Sequence, residues 1–425
     1  MDRFRIEGPT PLRGTVRASG AKNAALPALA ATLLTDEEVR LRRVPRVRDI
    51  ATLRRLLAHL GQGSSEEEPD LLRLAPAGVA SPDDAPYELV KTMRASVLVL
   101  GPLLARRGHA RVSLPGGCAI GVRPIDQHLA GLEALGAQVA LDHGYVDVTA
   151  PRLTGCRFRF GTVTVTGTEN LLMAAVLARG TTVLENCARE PEVSDLARLL
   201  VGMGAGIDGI GESTLIVHGV AELHGAEHAV IADRIEAGTY LIGAALTGGD
   251  VLVEDLRPED LGARLGQLAG TGTEVSLEGG GVRARRAGAL GARDLETAPF
   301  PGFPTDLQAQ YMALMTQAEG ISTICETVFE NRFQHAAELA RMGAEIRLDG
   351  RLARVHGPSR LSGATVMATD LRASASLVLA ALAAEGTTWV ERIYHLDRGY
   401  ERMEEKLRAL GGRVERVAQE ETAPA

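Results

Sequence analysis

The sequence predicts a two-domain α/β fold assembled from six similar modules. A glycine follows an amphipathic helical segment and precedes a strand-like segment at six places, separated by 75, 68, 68, 71 and 68 residues. A chain of 425 residues is too long for one small core and suits two domains of about 200 residues. A hydrophobic content of 45% and a charged content of 24% are typical of a globular chain. The six glycines are Gly61, Gly136, Gly204, Gly272, Gly343 and Gly411.

The order of elements inside each module also follows from its residues. The third module reads TGTENLLMAAVLA for a first helix, GTTVLENC for a strand and EPEVSDLARLL for a second helix. Modules one and six match it closely, and the others fit with looser spacing. A glycine just beyond a helix adopts the left-handed conformation that ends the helix. We expect three modules per domain, with a boundary between Gly204 and Ile235. A stacked solenoid is the alternative, but the modules are long and polar capping repeats are absent from the sequence.

Composition excludes several classes of function. Aromatic residues make up 3% of the chain and the net charge is −8, so neither a base-stacking surface nor a basic nucleic-acid-binding domain is expected. The apolar runs 26–34 and 97–105 are about half as long as a membrane-spanning helix. The N-terminal segment MDRFRIEGPT lacks the apolar stretch of a signal peptide. The sequence therefore predicts a cytoplasmic protein that neither inserts into a membrane nor binds nucleic acid.

Motifs for a metal or an organic cofactor are missing from the sequence. The four cysteines form no CxxC pair, and disulfides are not expected in a large cytosolic chain. His128 and His335 have no second ligand at metal-binding spacing. Neither GxGxxG after a predicted strand nor GxxxxGK[ST] occurs. We therefore expect chemistry that needs no metal and no cofactor.

Cationic residues recur at the predicted helix starts. Helix N-termini carry free N–H groups and a partial positive charge, so they attract anions. Cations at six such positions in an acidic protein indicate a ligand with several phosphate or carboxylate groups. Each one alone could instead form an ordinary surface ion pair. The six are Lys22, Arg94, Arg123, Arg332, Arg372 and Arg398.

The segment RVSLPGGCAIGVRPID, residues 111–126, is the most distinctive short stretch of the chain. Cys118 follows two glycines, and Arg123 and Pro124 lie at the predicted start of the next helix. A nearby cation and helix N-terminus lower the pKa of a thiol, and the thiolate is its reactive form. A buried structural thiol in a glycine-rich turn is the alternative. The other three cysteines lack this setting and are expected to be inert.

Asp306 is the best candidate for a catalytic base. It lies in the proline-rich segment APFPGFPTDLQAQ, directly before a predicted helix. An aspartate at this place is well suited to cap the helix. A capping carboxylate that faces a cleft can still accept a proton, so both roles stay open for this side chain.

Seven motifs together resemble the enolpyruvyl transferase family, and the resemblance runs from MDRFRIEGP to about residue 418. Within that family, KTMRAS and the cysteine segment favour the members that act on UDP-N-acetylglucosamine. The motifs are SGAKNAALP (19–27), KTMRAS (91–96), LPGGCAIGVRPID (114–126), FPTDLQAQ (303–310), FENRF (329–333), MATDLRASASLVLA (367–380) and RIYHLDRGYE (392–401).

The resemblance implies a fold and a reaction. The fold consists of two inside-out α/β barrels, in which six β/α units are divided three to a domain in a pseudo-threefold arrangement. The N-terminal domain would span 22–230, and the C-terminal domain would combine 1–21 with 231–418, leaving a mobile tail at 419–425. The reaction transfers the enolpyruvyl group of phosphoenolpyruvate to the 3′-hydroxyl of UDP-N-acetylglucosamine and releases phosphate. It proceeds through a tetrahedral ketal, begins peptidoglycan precursor synthesis and needs no cofactor.

The resemblance also implies roles for individual residues. Cys118 would donate a proton to phosphoenolpyruvate and be alkylated by fosfomycin, Asp306 would take the proton of the sugar hydroxyl, and Lys22 would hold phosphoenolpyruvate. The other cations expected to hold this substrate or its intermediate are Arg123, Arg332, Arg372 and Arg398. The residues expected at the UDP-sugar are Asn23, Arg94, Arg123, Pro124, Ile125, Asp126, Gln127 and Val328.

Some positions depart from the family pattern, and two other functions stay open. Thr162 stands where some members have a nucleotide-contacting lysine, and Arg48 replaces a lysine found in some members, which keeps the charge but not its geometry. The acidic stretch 64–70 has no family role and is predicted to be a solvated turn. An enolpyruvyl transferase acting on shikimate 3-phosphate is the nearest rival. A non-catalytic nucleotide-sugar sensor is a second, although a sensor would need neither the acid nor the base.

Overall fold

The computed structural model describes residues 2–68, 70–77, 82–114 and 125–418. Cys118, Arg123, Pro124 and the predicted tail at 419–425 lie outside these residues. The described helices are α1 (Lys22–Ala31), α2 (Arg48–His59), α3 (Tyr87–Val90), α4 (Leu100–Arg107), α5 (Asp126–Ala134), α6 (Val165–Ala175), α7 (Pro191–Gly202), α8 (Arg234–Thr247), α9 (Arg264–Ala269), α10 (Gln308–Met315), α11 (Gln334–Arg341), α12 (Leu371–Ala383) and α13 (Met403–Ala409).

The strands are short, and most belong to hairpins or to parallel edge pairs. They are β1 (Arg3–Gly8), β2 (Arg13–Arg17), β3 (Val39–Arg42), β4 (Gln62–Glu68), β5 (Leu71–Pro76), β6 (Asp84–Ala85), β7 (His109–Ser113), β8 (Gln138–Asp142), β9 (Tyr145–Thr149), β10 (Arg157–Arg159), β11 (Thr181–Glu185), β12 (Gly206–Asp208), β13 (Thr214–His218), β14 (Glu227–Ala229), β15 (Asp250–Glu254), β16 (Thr273–Glu278), β17 (Gly281–Arg286), β18 (Leu290–Gly291), β19 (Leu295–Glu296), β20 (Ala318–Cys325), β21 (Glu345–Asp349), β22 (Leu352–Gly357), β23 (Thr365–Met367), β24 (Gly386–Glu391) and β25 (Arg413–Val417).

The described strands form six small sheets that share one pattern. In each sheet an edge strand runs parallel to its neighbour, and two further strands follow in antiparallel pairing. None of these sheets closes into a barrel within the described residues, and the mixed α/β fold class is confirmed. The sheet orders are β14-β3-β5-β4, β6-β7-β9-β8, β10-β11-β13-β12, β2-β15-β17-β16, β18-β20-β22-β21 and β23-β24-β1-β25, with β19 also pairing with β20.

The chain forms two compact units. The terminal unit contains residues 2–19 and 232–418, and the central unit contains the described residues between 20 and 231. The N-terminal residues belong to the terminal unit because β1 pairs with β24 and β25, with Phe4 opposite Val390 and Arg416. In the same way β14, late in the central unit, pairs with β3 near its beginning.

Each unit has its own hydrophobic core, built around the first helices of its three modules. In the terminal unit α8, α10 and α12 pack against one another, and almost all of their residues are buried. In the central unit α6 packs against α1 and α4. A helix that is apolar on every side is expected to be buried in this way. The second helices, such as α2 and α11, bury only one face.

The six glycines of the repeat all adopt the predicted left-handed conformation. Their φ angles lie between 85° at Gly61 and 102° at Gly204. A side chain at such an angle is strained, so glycine is the residue that ends these helical segments at lowest cost. The prediction from the repeat is therefore confirmed at every module.

Two predicted features differ in the structure. The acidic stretch is solvated as predicted, but it is not a turn, because most of it forms β4 and its exposed carboxylates pair with arginines of the same unit. Glu66 lies 3.1 Å from both Arg46 and Arg54, and Glu68 lies 3.4 Å from Arg42. The second helix of the sixth module also begins later than predicted. Residues 397–398 end a 3₁₀ helix, and α13 starts only at Met403.

The longest described helix, α8, has 14 residues. Across the described ranges, no helix combines the length and the apolar character needed to cross a membrane.

Candidate active site

Asp306 lies in the terminal unit, in a 3₁₀ turn that leads into α10. Its carboxylate accepts one hydrogen bond from Arg332 Nη2 on Oδ1 and one from Arg372 Nη2 on Oδ2, each at 2.8 Å. It does not cap α10, and neither the turn nor the helix has a side-chain cap. The capping role is therefore wrong for Asp306, because two charge-assisted hydrogen bonds outcompete a neutral backbone donor.

The two arginines reach Asp306 from the starts of neighbouring helices. Arg372 is the second residue of α12, whose N-terminus is capped by Asp370. Arg332 stands two residues before α11. Both arginine side chains are 5% exposed, whereas that of Asp306 is 26% exposed. Two buried guanidinium groups therefore converge on one partly exposed carboxylate, which places two cations where an anionic ligand would be attracted.

Arg372 has donor capacity to spare. In the part of the chain that the structure describes, its Nη1 is buried without a hydrogen-bond partner. A buried charged donor without a partner is costly, so an incoming anion would gain by satisfying it. The centre of the Tyr400 ring lies 5.6 Å from the guanidinium carbon.

The charges of the two arginines set the protonation of Asp306. Burial works to raise the pKa of this carboxyl, but the positive charges of Arg372 and Arg332 outweigh burial and hold the pKa well below its usual range. Asp306 is therefore ionised at neutral pH and is a weak base while both guanidinium groups bind it. A ligand anion that draws either arginine away would make Asp306 more basic.

The remaining predicted residues of the terminal unit lie on two other segments. Val328 follows the end of β20, and its side chain is 37% exposed. Arg398 is the last residue of the 3₁₀ helix Ile393–Arg398 and is half-buried.

In the central unit the starts of α1 and α2 lie together. Lys22 is the first residue of α1, and its Nζ lies 3.1 Å from Oδ2 of Asp49, the second residue of α2. Both side chains are buried, with 10% and 7% exposure. Asn23 follows on α1 and is half-buried, and Arg48 begins α2. Lys22 therefore lies at a helix start, as the repeat predicts, and is paired there with Asp49.

Arg94 and His128 form a second group in the central unit. Arg94 begins the 3₁₀ helix Arg94–Val99, and its charge acts on the buried His128. Burial first, and then Arg94, lower the pKa of His128 to about 4, so the ring is neutral. Its Nδ1 lies 3.0 Å from the Asn170 amide nitrogen and its Nε2 3.3 Å from the Thr166 hydroxyl. Asn170 can only donate at that contact, so Nε2 carries the proton.

The residues 125–127 open α5, and Gln127 ties this helix to the segment at 161–162. Its Oε1 accepts hydrogen bonds from the backbone of Gly161 at 2.7 Å and of Thr162 at 3.1 Å. Its Nε2 donates to the Thr162 hydroxyl at 2.7 Å. Ile125 is half-buried and Asp126 is exposed. The departure at Thr162 therefore contacts a residue expected at the UDP-sugar.

Two of the three described cysteines lie in settings that disfavour reactivity. Burial raises the pKa of Cys187 to about 12 and also raises that of Cys156. Both thiols are therefore protonated at neutral pH, and the thiolate is the nucleophilic form. The reactive role predicted for Cys118, which lies outside the described residues, stays a prediction.

Sequence reasoning missed Glu326, which is 1% exposed and accepts four hydrogen bonds close to Asp306. None of the seven motifs contains it, and a single glutamate after a strand gives no signal in one sequence. Glu326 stands six residues before Arg332, but this spacing indicates that the two residues are linked only when the turn between them is known.

Comparisons with known proteins add a family to this geometry. The family model described as EPSP synthase (3-phosphoshikimate 1-carboxyvinyltransferase) matches residues 6–407. A protein of Koribacter versatilis named UDP-N-acetylglucosamine 1-carboxyvinyltransferase is 59% identical, over 99% of this chain and 97% of its own. One of the same name from Solibacter usitatus is also 59% identical, over 98% of this chain and 100% of its own.

Solved structures show the same fold. The enolpyruvyl transferase NikO from Streptomyces tendae superposes with a TM-score of 0.87 at 28% identity, covering 98% of this chain and 99% of that chain. An EPSP synthase from Acinetobacter baumannii gives a TM-score of 0.76 at 18% identity, covering 98% and 100%, and supports the fold alone.

Proposed function

The chain belongs to the enolpyruvyl transferase family, and we propose that it transfers the enolpyruvyl group of phosphoenolpyruvate to the 3′-hydroxyl of UDP-N-acetylglucosamine. Phosphate is released, and the product enters peptidoglycan precursor synthesis at its first committed step. The observation that carries the proposal is the 59% identity, over nearly the whole chain, to relatives named for this reaction.

The reaction consists of an addition and an elimination. The sugar oxygen bonds to C2 of phosphoenolpyruvate while its hydroxyl proton leaves to a base and C3 gains a proton from an acid. The tetrahedral ketal then loses a proton from C3, and the C2–O bond to phosphate breaks. Both steps need a cationic environment for the phosphate and carboxylate, together with an acid and a base.

Asp306 is the proposed base for the sugar hydroxyl. Its ionised state at neutral pH supports this role, since the base must begin without its proton. Arg332 and Arg372 are proposed to hold the phosphate or carboxylate of phosphoenolpyruvate. When either guanidinium turns to the substrate, the pKa of Asp306 rises, so that binding of one substrate activates the base for the other.

The other predicted residues complete the proposal. Cys118 donates the proton to C3, with Lys22 and Asn23 at the reacting atoms. Lys22 is buried beside Asp49, which supports a fixed ammonium group for an anion. The remaining substrate contacts are proposed at Arg94, Arg123, Pro124, Ile125, Asp126, Gln127, Val328 and Arg398.

We also propose that residues 22–230 and residues 1–21 with 231–418 act as separate domains. The central and terminal units, each with its own core, support this division. A cytoplasmic location is supported by the free thiols of Cys156, Cys187 and Cys325.

Phosphate release from phosphoenolpyruvate tests the proposal. We expect release with UDP-N-acetylglucosamine and only background release with shikimate 3-phosphate or with no acceptor. Release that requires shikimate 3-phosphate would assign the rival activity. Tight binding of UDP-N-acetylglucosamine without turnover would assign the sensor.

A further inference from the structure

We propose that Glu326 is a positioning residue for this reaction, which orients Asp306 through Thr305 and Arg332 and also fixes the turn that carries Val328. The inference rests on the proposed function, because Asp306 and Val328 take their roles from it. Glu326 acts on Asp306 only through Thr305 and Arg332, and it binds Val328 through the backbone N–H.

Glu326 follows β20 and is 1% exposed. Its Oε1 accepts hydrogen bonds from the Thr297 hydroxyl at 3.0 Å, from Val328 N at 2.9 Å and from Phe329 N at 3.1 Å. Its Oε2 accepts from the Thr305 hydroxyl at 2.8 Å. Four donors converge on one carboxylate, which offers about four acceptor sites and no proton of its own.

Glu326 acts through two sets of contacts, which we call arms. The first arm runs through Thr305 and Arg332 to the proposed base. A threonine hydroxyl has one proton, and Thr305 donates it to Glu326. The lone pairs of the same hydroxyl therefore accept the hydrogen bond from Arg332 Nη1 at 2.9 Å. The second nitrogen of the same guanidinium donates to Asp306 Oδ1 at 2.8 Å. Because the guanidinium is planar and rigid, holding one nitrogen sets the direction of the other.

The second arm leads to the turn after β20. Glu326 Oε1 binds the backbone N–H groups of Val328 and Phe329, so the turn folds back over its own glutamate. The ring of Phe329 lies 5.1 Å from the guanidinium carbon of Arg332. Thr327 adds a backbone hydrogen bond to the Thr297 hydroxyl at 2.9 Å. The exposed side chain of Val328 is therefore presented from a fixed backbone.

The two arms can be separated by substitution. Glu326→Gln keeps the size of the side chain but turns an amide N–H₂ toward donors, so it disturbs both arms. Thr305→Val keeps the shape of the residue and removes only the arm to Arg332. Thr305→Ser keeps the hydroxyl and is the conservative rescue. Thr316→Val removes a buried hydroxyl elsewhere in the terminal unit, which donates to the Ala313 carbonyl and accepts from Gln317 Nε2, and is the matched control.

The experiment measures kcat and both KM values for the full-length variants, with thermal unfolding alongside. For Thr305→Val we expect kcat to fall by about 10- to 100-fold, the KM for phosphoenolpyruvate to rise, and the KM for UDP-N-acetylglucosamine to stay unchanged. For Glu326→Gln we expect the same loss of kcat together with a raised KM for UDP-N-acetylglucosamine. Thr305→Ser and Thr316→Val should keep the kcat of the wild type.

The proposal is overturned if Thr305→Val, folded like the wild type, keeps its kcat, or if Thr316→Val loses as much activity as Thr305→Val. Thr305→Val carries the test alone if Glu326→Gln fails to fold. If the proposed function itself is wrong, the wild-type protein will release no phosphate with UDP-N-acetylglucosamine, which distinguishes this outcome from the others.

Discussion

Replacing Asp306 by asparagine removes one negative charge from between two buried cations and nearly preserves the shape of the side chain. Arg332 and Arg372 are each 5% exposed, so both would lose a carboxylate partner in a buried setting. Breaking a buried ion pair by removing one partner costs about 3–5 kcal/mol. Asp306 itself is 26% exposed, so we expect the lower end, about 3 kcal/mol of unfolding free energy.

The effect on catalysis should be larger than the effect on folding. Loss of a general base lowers the rate by about 10²–10⁴-fold. Binding of UDP-N-acetylglucosamine should be retained, because asparagine keeps an acceptor oxygen at the same place. The variant is therefore expected to be folded at 25 °C, to bind the sugar nucleotide and to turn over very slowly.

Asp250→Asn is the matched control. Asp250 also binds a guanidinium through both oxygens, with Arg283 at 2.6 and 2.7 Å, and its side chain is 25% exposed. Arg283 is 40% exposed, however, so solvent screens it when the partner is lost. We expect a cost of about 1 kcal/mol or less and an unchanged kcat.

The assays are urea unfolding, calorimetric binding of UDP-N-acetylglucosamine and phosphate release. The pKa of Asp306 is depressed in the folded protein, so its contribution to stability is complete above the unfolded pKa of about 3.9 and is lost as the pH falls through the folded value. The stability difference between wild type and Asp306→Asn should thus be full at pH 7 and shrink below about pH 4. A kcat near that of the wild type would refute Asp306 as the base.

Three further predictions concern other parts of the chain. The pKa of His128 is about 4 in the folded protein and about 6.5 in the unfolded chain, so the unfolded state binds more protons between these values and the protein loses stability as the pH drops through them. His128→Gln should reduce this loss of stability by up to about 3 kcal/mol in a pH series of urea unfolding. An unchanged dependence of stability on pH would contradict the prediction. Gly136→Ala should cost about 1–2 kcal/mol because its φ is 97°, whereas Gly288→Ala, with open space and no left-handed φ, should cost less than about 0.5 kcal/mol; equal costs would argue against strain. Cys118→Asp should keep activity and escape inactivation by fosfomycin, and inactivation at the wild-type rate would exclude the thiol as its target.

The repeat of helix-ending glycines predicted most of what a single sequence can show about the fold. The helix-ending glycines recur because only glycine adopts a φ near 90° without strain, and such a requirement is visible without a structure. The pairing of β1 with β24 and of β14 with β3 was not predictable from periodicity, since it joins residues more than 180 positions apart. Non-local pairing leaves no local pattern in the chain.

The site was predicted unevenly for a similar reason. Helix starts identified Lys22, Arg332 and Arg372, because a cation at a helix N-terminus is anomalous in any sequence. The choice between cap and base at Asp306 was not decidable, because it depends on where two distant arginines lie. Glu326 was invisible, since its value comes from four donors on three separate segments.

The most direct test of the central claim is the mass of the nucleotide recovered after incubation with phosphoenolpyruvate and UDP-N-acetylglucosamine. We predict UDP-N-acetylglucosamine heavier by one enolpyruvyl group with the wild type, and almost none of this product with Asp306→Asn. Recovery of unchanged or phosphorylated UDP-N-acetylglucosamine from the wild type would contradict the account.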